Sequence, residues 1–263
     1  MELPNTEISK RYQFLLRFIK PIGDALLKKA QTPFNVYHKA TDDYVTSFDL
    51  EVNNKYIKLI KQNFPENVIY SEEGDYKNIG KEFTWIIDPI DGTNMFIHKL
   101  PIWTTTIAIL YKQLVVASAV YYPFTKELFH VQKGAGAFLN NQQIHVGTCK
   151  DLKKAFFIST CSIRKKFPGY FPVFTKITKI AERIRIIGVS SLELCYVACG
   201  RVDLNLAYGL DIYDAIPGLL MVQEAGGKVK DWLGNEIKTI SNKKLNLVAG
   251  NETIVNQTLP LLN

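Results

Sequence analysis

The feature that most limits what this chain can become lies between residues 85 and 93. An apolar run, Trp85-Ile86-Ile87, leads into Asp88-Pro89-Ile90-Asp91-Gly92-Thr93. The run reads as a short buried strand that ends at an Asp-Pro turn, because proline cannot donate to a strand ladder. The turn folds two carboxylates, three residues apart, toward one point and leaves the Ile90 carbonyl facing outward as a third oxygen. Hard cations such as Mg²⁺ take oxygen ligands in octahedral geometry. A carboxylate shared between two ions would build a two-metal site. Gly92 lets the backbone approach closely, Thr93 supplies a hydroxyl, and N–H groups after Gly92 at a helix start suit a phosphate. Pro-x-Asp-Gly is also an ordinary turn sequence, so this segment alone leaves both readings open.

With 263 residues, 47% hydrophobic and 22% charged, the chain can bury a sizeable core. The expectation is a single domain over 1–263, with halves of about 1–147 and 148–263 and no flexible linker between them. No apolar run approaches the roughly 18 residues needed to span a bilayer. The N-terminus carries no basic region followed by an apolar one, so a cytoplasmic location is expected. None of the four cysteines forms a C-x-x-C pair, and Cys195 and Cys199 read as small buried thiols on one helix face. His38, His98, His130 and His145 are scattered without ligand spacing. The net charge of +7 is concentrated: Lys150 to Arg185 holds ten basic residues against two acidic ones. That stretch is either a solvated face or a draw for anionic substrates or an acidic partner.

Periodicity predicts helices over 6–30, with a possible kink at Pro21, and over 49–63, with Asp49 as N-cap. Strands follow at 68–71, 83–87, 103–111, 114–122, 127–133 and 136–139. The second half alternates: strand 155–160, helix 172–182, strand 184–188, helix 190–199, strand 202–207, helix 212–225 closed by Gly226-Gly227, strand 245–249 and a terminal helix. The pattern is that of an α+β chain with layered elements and two sheets.

Two further acidic segments bear on the first. Glu72-Glu73 ends a short strand, and burying Glu72 beside other acids is costly without a cation. Asp211 and Asp214 open the helix that runs to Gly227; residues there are often caps or dipole partners.

Taken in order, these segments resemble the inositol monophosphatase family of Mg²⁺-dependent, lithium-sensitive phosphatases. The family's W-I-D-P-I-D-G-T-x-N-F looks like Trp85–Phe96, its W-D-x-A-G-x-x-x-x-E-A-G-G like Tyr213–Gly227, and its Glu-Glu like Glu72-Glu73. Its D-x-V-T-x-x-D resembles Asp43–Asp49, and its G-S-A-A-L through G-R-x-D resembles Gly188–Asp203. The resemblance implies an αβαβα sugar-phosphatase-type fold with two sheets between helix layers. It also implies hydrolysis of a small phosphate monoester by metal-activated water attacking phosphorus, with two to three Mg²⁺ ions. Carried over by position, the metal ligands are Glu72, Asp88, the Ile90 carbonyl, Asp91 and Asp214. Thr93 and Asp49 position the water, with Glu72 also catalytic, and Gly92, Thr93, Asn94, Val189, Ser190 and Asp214 meet the substrate. A homodimer is the family's common state. A partner-binding regulator in contact with nucleic acid or the transcription machinery is the alternative of another class.

Three departures bear on substrate. Met95 stands where the family has Asn. Tyr213 stands where it has Trp. Ala207 stands where inositol-binding members often carry a Glu that contacts substrate hydroxyls; its absence weighs against inositol phosphate as the main substrate, and the resemblance to the wider superfamily offers fructose 1,6-bisphosphate, NADP, histidinol phosphate or nucleoside bisphosphates instead. Asp211, in the same loop, is a possible substitute.

Overall fold

The computed structural model describes residues 4–40, 43–74, 79–80, 82–160, 169–241 and 243–262. Cys161, Arg164, Lys165 and Lys166 of the basic stretch lie outside the described residues. A long helix, α1 (Asn5–Lys29), is followed by a hairpin, β1 (Val36–Ala40) and β2 (Asp43–Thr46). Next come α2 (Ser47–Asn63), β3 (Val68–Ser71), β4 (Phe83–Asp91) and the short α3 (Thr93–Ile97). Strands β5 (Thr104–Tyr111), β6 (Leu114–Tyr122), β7 (Glu127–Gln132), β8 (Ala137–Leu139) and β9 (Gln142–Ile144) complete a seven-stranded sheet in the order β3 to β9.

The second sheet has the order β11-β10-β12-β14-β13. Its strands are β10 (Phe156–Thr160), β11 (Arg183–Arg185), β12 (Leu204–Leu210), β13 (Lys228–Asp231) and β14 (Leu245–Gly250). Its helices are α4 (Tyr170–Thr178), α5 (Ser190–Ala198), α6 (Ile212–Glu224) and α7 (Glu252–Thr258).

The layers follow from which faces are apolar. Helix α1 buries Ile8, Tyr12, Leu15, Ile19, Ile22 and Leu26 at helical spacing, and with α2 it covers one face of the large sheet. Alternation along the strands divides the sheet: Trp85, Ile87, Ile107 and Ile109 face α1 and α2, whereas Ile86, Ala108 and Leu110 face α5 and α6. Helices α5 and α6 lie between the sheets and are buried nearly all round, which is why neither shows one clean apolar stripe. Beyond the small sheet, Phe157, Leu204, Leu206 and Val248 pack on α4 and α7. The result is the five-layered αβαβα arrangement.

Several boundaries differ from expectation. The helix expected over 172–182 occupies 170–178, and the strand expected over 184–188 is only Arg183–Arg185. The strand expected over 202–207 runs on to Leu210, and β4 runs through the Asp-Pro segment to Asp91. Helix α1 continues through Pro21. Helix α2 begins two residues earlier than expected: Thr46, not Asp49, is the N-cap, and Asp49 is the third helical residue. Cys195 is buried, but Cys199 is only half-buried. Every described basic residue from Lys150 to Arg185 is exposed.

The two central helices touch where Gly218 of α6 meets α5. A Cβ built on Gly218 would lie 2.3 Å from the Leu194 Cβ and 2.8 Å from its Cδ1. Gly218→Ala therefore forces apart the two helices that carry one wall of the site. Overpacking of this kind costs about 1–3 kcal/mol, so a lowered chemical-denaturation midpoint is expected; an unchanged midpoint contradicts the packing described.

Candidate active site

The Asp-Pro segment is positioned by a break in a ladder. Strand β4 pairs β5 in register up to Asp88↔Thr106, and pairing resumes at Asp91↔Thr104 with a shift between. Pro89 has no N–H to give, so the extra residue bulges there and re-aims both aspartates. Asp88 and Asp91 are 1% and 4% exposed. The Ile90 N–H donates to Asp88 Oδ1 at 3.0 Å. Gly92 follows at φ +96°, and a Cβ there would lie 2.9 Å from the Val189 Cγ2. Only glycine suits both the backbone and the space.

Asp214 arrives from the second half, in the first turn of α6 behind its N-cap Asp211. Carboxylate oxygens of Asp88, Asp91 and Asp214 lie within 4.8 Å of one another. Glu72 stands at the end of β3, where its N–H donates to the Ile87 carbonyl at 3.0 Å. Its charge is felt by Asp88, Asp91, Asp214 and Asp49. The structure thus gathers Glu72, Asp88, Asp91 and Asp214 from three separate segments.

Asp91 is held by α5. Its Oδ1 accepts from the Ser190 N–H at 3.2 Å, and its Oδ2 accepts from the Ser191 N–H at 2.7 Å and the Ser191 hydroxyl at 2.6 Å. Val189, the N-cap residue of α5, has no side chain able to accept these bonds. An aspartate from the first half thereby caps a helix of the second.

Asp49 is held by a capping box. Its Oδ2 accepts from the Thr46 N–H at 2.7 Å and from the Thr46 hydroxyl, while Thr46 Oγ1 accepts from the N–H groups of Phe48 and Asp49. This leaves Asp49 Oδ1 facing Thr93, whose hydroxyl lies 3.4 Å from it and 3.0 Å from the Ile90 carbonyl. Val189 and Ser190 are buried, and Asn94 is exposed. The Ser190 amide is already committed to Asp91. Met95 replaces an amide by an apolar contact, its Cε packing at the Gly188 backbone.

The spacing of acids did not reveal Lys39. It sits on β1, bonds Glu72 Oε1 at 3.1 Å and is ion-paired to Glu73. Burial opposes its charge, but Glu72 and Glu73 outweigh that and push its pKa up. Glu73 rises to about 7, through burial first and Glu72 second, against the pull of Lys39. Ser191 and Thr46 were likewise unforeseen, since neither residue type marks a ligand.

The electrostatics match a cation-binding centre. Burial first, then the charges of Glu72, Asp91 and Asp214, hold Asp88 well above the usual carboxylate range. Asp214 is held there by burial, Asp91 and Glu72. Burial lifts Asp91 to about 6 despite the Ser190 and Ser191 bonds. Asp49 also rises to about 6 by burial, against its bonds from Thr46. Asp88 Oδ2 is buried with no hydrogen-bond partner among the described residues. An orphaned carboxylate oxygen in an all-oxygen cluster is costly by itself and suits a hard divalent cation.

Fold and acid cluster together define a phosphoric monoester hydrolase. The chain belongs to the inositol monophosphatase family, whose profile matches residues 7–261. It is 31% identical to an inositol monophosphatase of Dictyostelium discoideum, over 99% of this chain and 97% of that one. It is 32% identical to the Nus factor SuhB of Escherichia coli, over 93% and 92% of the two chains. The solved Thermotoga maritima IMPase superimposes with a TM-score of 0.87 at 30% identity, covering 97% of each chain. Among the described residues, no helix is long and apolar enough to cross a membrane.

A carboxyl whose pKa is higher folded than unfolded binds more protons folded. The metal-free chain therefore loses stability as the pH rises from about 4 through 6 and above. In EDTA the melting temperature should fall between pH 5 and pH 8. Millimolar Mg²⁺ should raise it, by more at pH 8 than at pH 5. Asp88→Asn should raise the EDTA value and shrink the Mg²⁺ gain; no Mg²⁺ gain at either pH would contradict the cation-binding assignment.

Proposed function

We propose that this chain is a Mg²⁺-dependent phosphatase of small phosphate monoesters, working as one domain over 1–263. The observation that carries the reading is the buried, unpartnered Asp88 Oδ2 at the centre of the Asp88–Asp91–Asp214 cluster. Glu72, Asp88, Asp91, Asp214 and the Ile90 carbonyl would hold the ions, two to three by family resemblance. When bound, Mg²⁺ supplies charge neutralisation and Lewis-acid polarisation at the phosphoryl oxygens.

The remaining work falls to the chain itself. Thr93 has one hydroxyl proton and two acceptors, Ile90 O and Asp49 Oδ1. Turned toward Asp49, the hydroxyl leaves its lone pairs for the proton of a water molecule. Asp49, lifted to about 6, is poised near neutrality to draw that proton through Thr93. The oriented water then attacks phosphorus in line with the P–O bond that breaks. Gly92, Thr93 and Asn94 begin a helix without a side-chain cap, so a phosphate oxygen would serve their N–H groups as an acceptor. Val189 stands against Gly92, and Ser190 follows it with its N–H on Asp91.

The substrate follows from what is missing. Ala207 is fully buried in the core and offers nothing to a polyol. This favours esters other than inositol phosphates, with inositol 1-phosphate as a secondary substrate. A second reading, contact with an acidic macromolecule, is supported by the exposed basic residues between Lys150 and Arg185. The Nus factor name of the Escherichia coli relative points the same way. The complete carboxylate set favours catalysis over a purely binding role. A homodimer is carried over from the family as an expectation.

Phosphate release should be measured with Mg²⁺ on inositol 1-phosphate, fructose 1,6-bisphosphate, histidinol phosphate, NADP and 3′-phosphoadenosine 5′-phosphate. Release from at least one ester should be abolished by Asp88→Asn, and Thr93→Val should lower kcat by roughly 10²-fold or more with little change in KM. A folded chain that binds Mg²⁺ yet releases no phosphate from any of them would move the assignment to the binding role.

A further inference from the structure

The C-terminal ends of parallel strands open onto the crevice where open α/β sheets bind ligands. Here those ends belong to β10 and β12, which run parallel. Strand β12 also pairs β14 antiparallel, and its last register pair is Leu210↔Leu245. The next residue on each strand is therefore brought across from the other: Asp211 on β12 and Lys244 before β14. They meet as an ion pair, Lys244 Nζ to Asp211 Oδ2 at 2.5 Å.

This pair stands beside the reacting centre. Asp211 is the N-cap residue of α6, and the Asp214 N–H donates to its carbonyl at 3.2 Å. Asp214 lies three positions beyond Asp211, roughly 4.5 Å along the helix axis. Burial, Asp91, Glu72 and Asp211 raise Asp214, and Lys244 is a charge that opposes them. Lys244 thus stands close enough to the acid cluster for its charge to act on Asp214.

The chemistry at this rim is that of a cation. Ala207, where a polyol-reading carboxylate would stand, is sealed in the core. Asp211, the possible substitute, is occupied by Lys244. The pair is solvated, with side chains 57% and 39% exposed, so it holds weakly and exchanges readily for a more highly charged anion.

We infer that Lys244 is a specificity-determining residue, whose ammonium binds an anionic group carried on the alcohol part of the substrate. Esters with a second phosphate or a carboxylate are favoured over neutral polyol monophosphates. This assignment rests on the phosphatase reading above.

The test uses a matched pair of substrates, fructose 1-phosphate and fructose 1,6-bisphosphate, which differ only in the second phosphate. Hydrolysis at position 1 is followed as fructose or fructose 6-phosphate, with Mg²⁺ and the full chain. Lys244→Gln should lower the ratio of kcat/KM for the bisphosphate to that for the monophosphate about tenfold, chiefly through KM, as expected for one lost charge-assisted contact. Asp211→Asn, which frees the ammonium, should hold or raise that ratio. Wild-type hydrolysis with a ratio unmoved by Lys244→Gln, or a ratio that collapses in Asp211→Asn, overturns the role of Lys244 and leaves the phosphatase reading standing. Hydrolysis of other esters of the panel above but of neither fructose ester by the wild type overturns the role of Lys244 alone, and no release from any ester at any Mg²⁺ concentration overturns both.

Discussion

The site depends on the bonds from Ser190 and Ser191 to Asp91. These residues lie 99 and 100 positions apart in the chain. Helix α5 starts at Ser190 behind Val189, whose side chain cannot cap it, and the first N–H groups of a helix need acceptors. Asp91 supplies them from the β4 bulge. A cap is ordinarily worth about 0.5–2 kcal/mol, but this one also fixes where the large sheet sits against α5. Since α5 packs on α6 through Gly218, the same contact sets where Asp214 arrives. The carboxylate that would bind a cation is thus also the peg that brings the other ligands to it.

That economy carries an electrostatic cost. Four acids share one centre, two of them buried and two half-buried, and the helix N–H groups and Lys39 offset only part of their charge. Asp91 stays raised despite three donors, and Glu73 stays raised despite Lys39. What remains is a centre better suited to a divalent cation than to its own protons at neutral pH. The strain is local: the cores on both faces of each sheet are continuous and apolar, so the fold tolerates a repulsive centre.

Much of this was legible in the sequence, for identifiable reasons. Helix α1 and strands β4 to β6 announce themselves through apolar period. The ligand aspartates stand in a segment whose proline dictates the break that aims them. The β1–β2 hairpin was not legible, because β1 is exposed at every position and has no buried face to impose alternation. With it went Lys39, which only that hairpin brings to Glu72 and Glu73. Strand β13, Lys-Val-Lys-Asp, buries a single valine and was missed for the same reason. Asp49 read as an N-cap because Asp is a common one, yet Thr46 also qualifies, and the capping box places the acid at the third helical position. Ser191 is a small polar residue whose role exists only once Asp91 is folded against it.

Whether Asp88 Oδ2 is a cation ligand is decided by diffraction from crystals soaked in Mn²⁺. Anomalous density is expected at metal–oxygen bonding distance from Asp88 Oδ2, with Asp91 or Asp214 completing the same ion's shell and Asp91 still bonded to Ser190 and Ser191. A protonated Asp88 donating to a neighbouring oxygen, with no anomalous density in the cluster at saturating Mn²⁺, would contradict it.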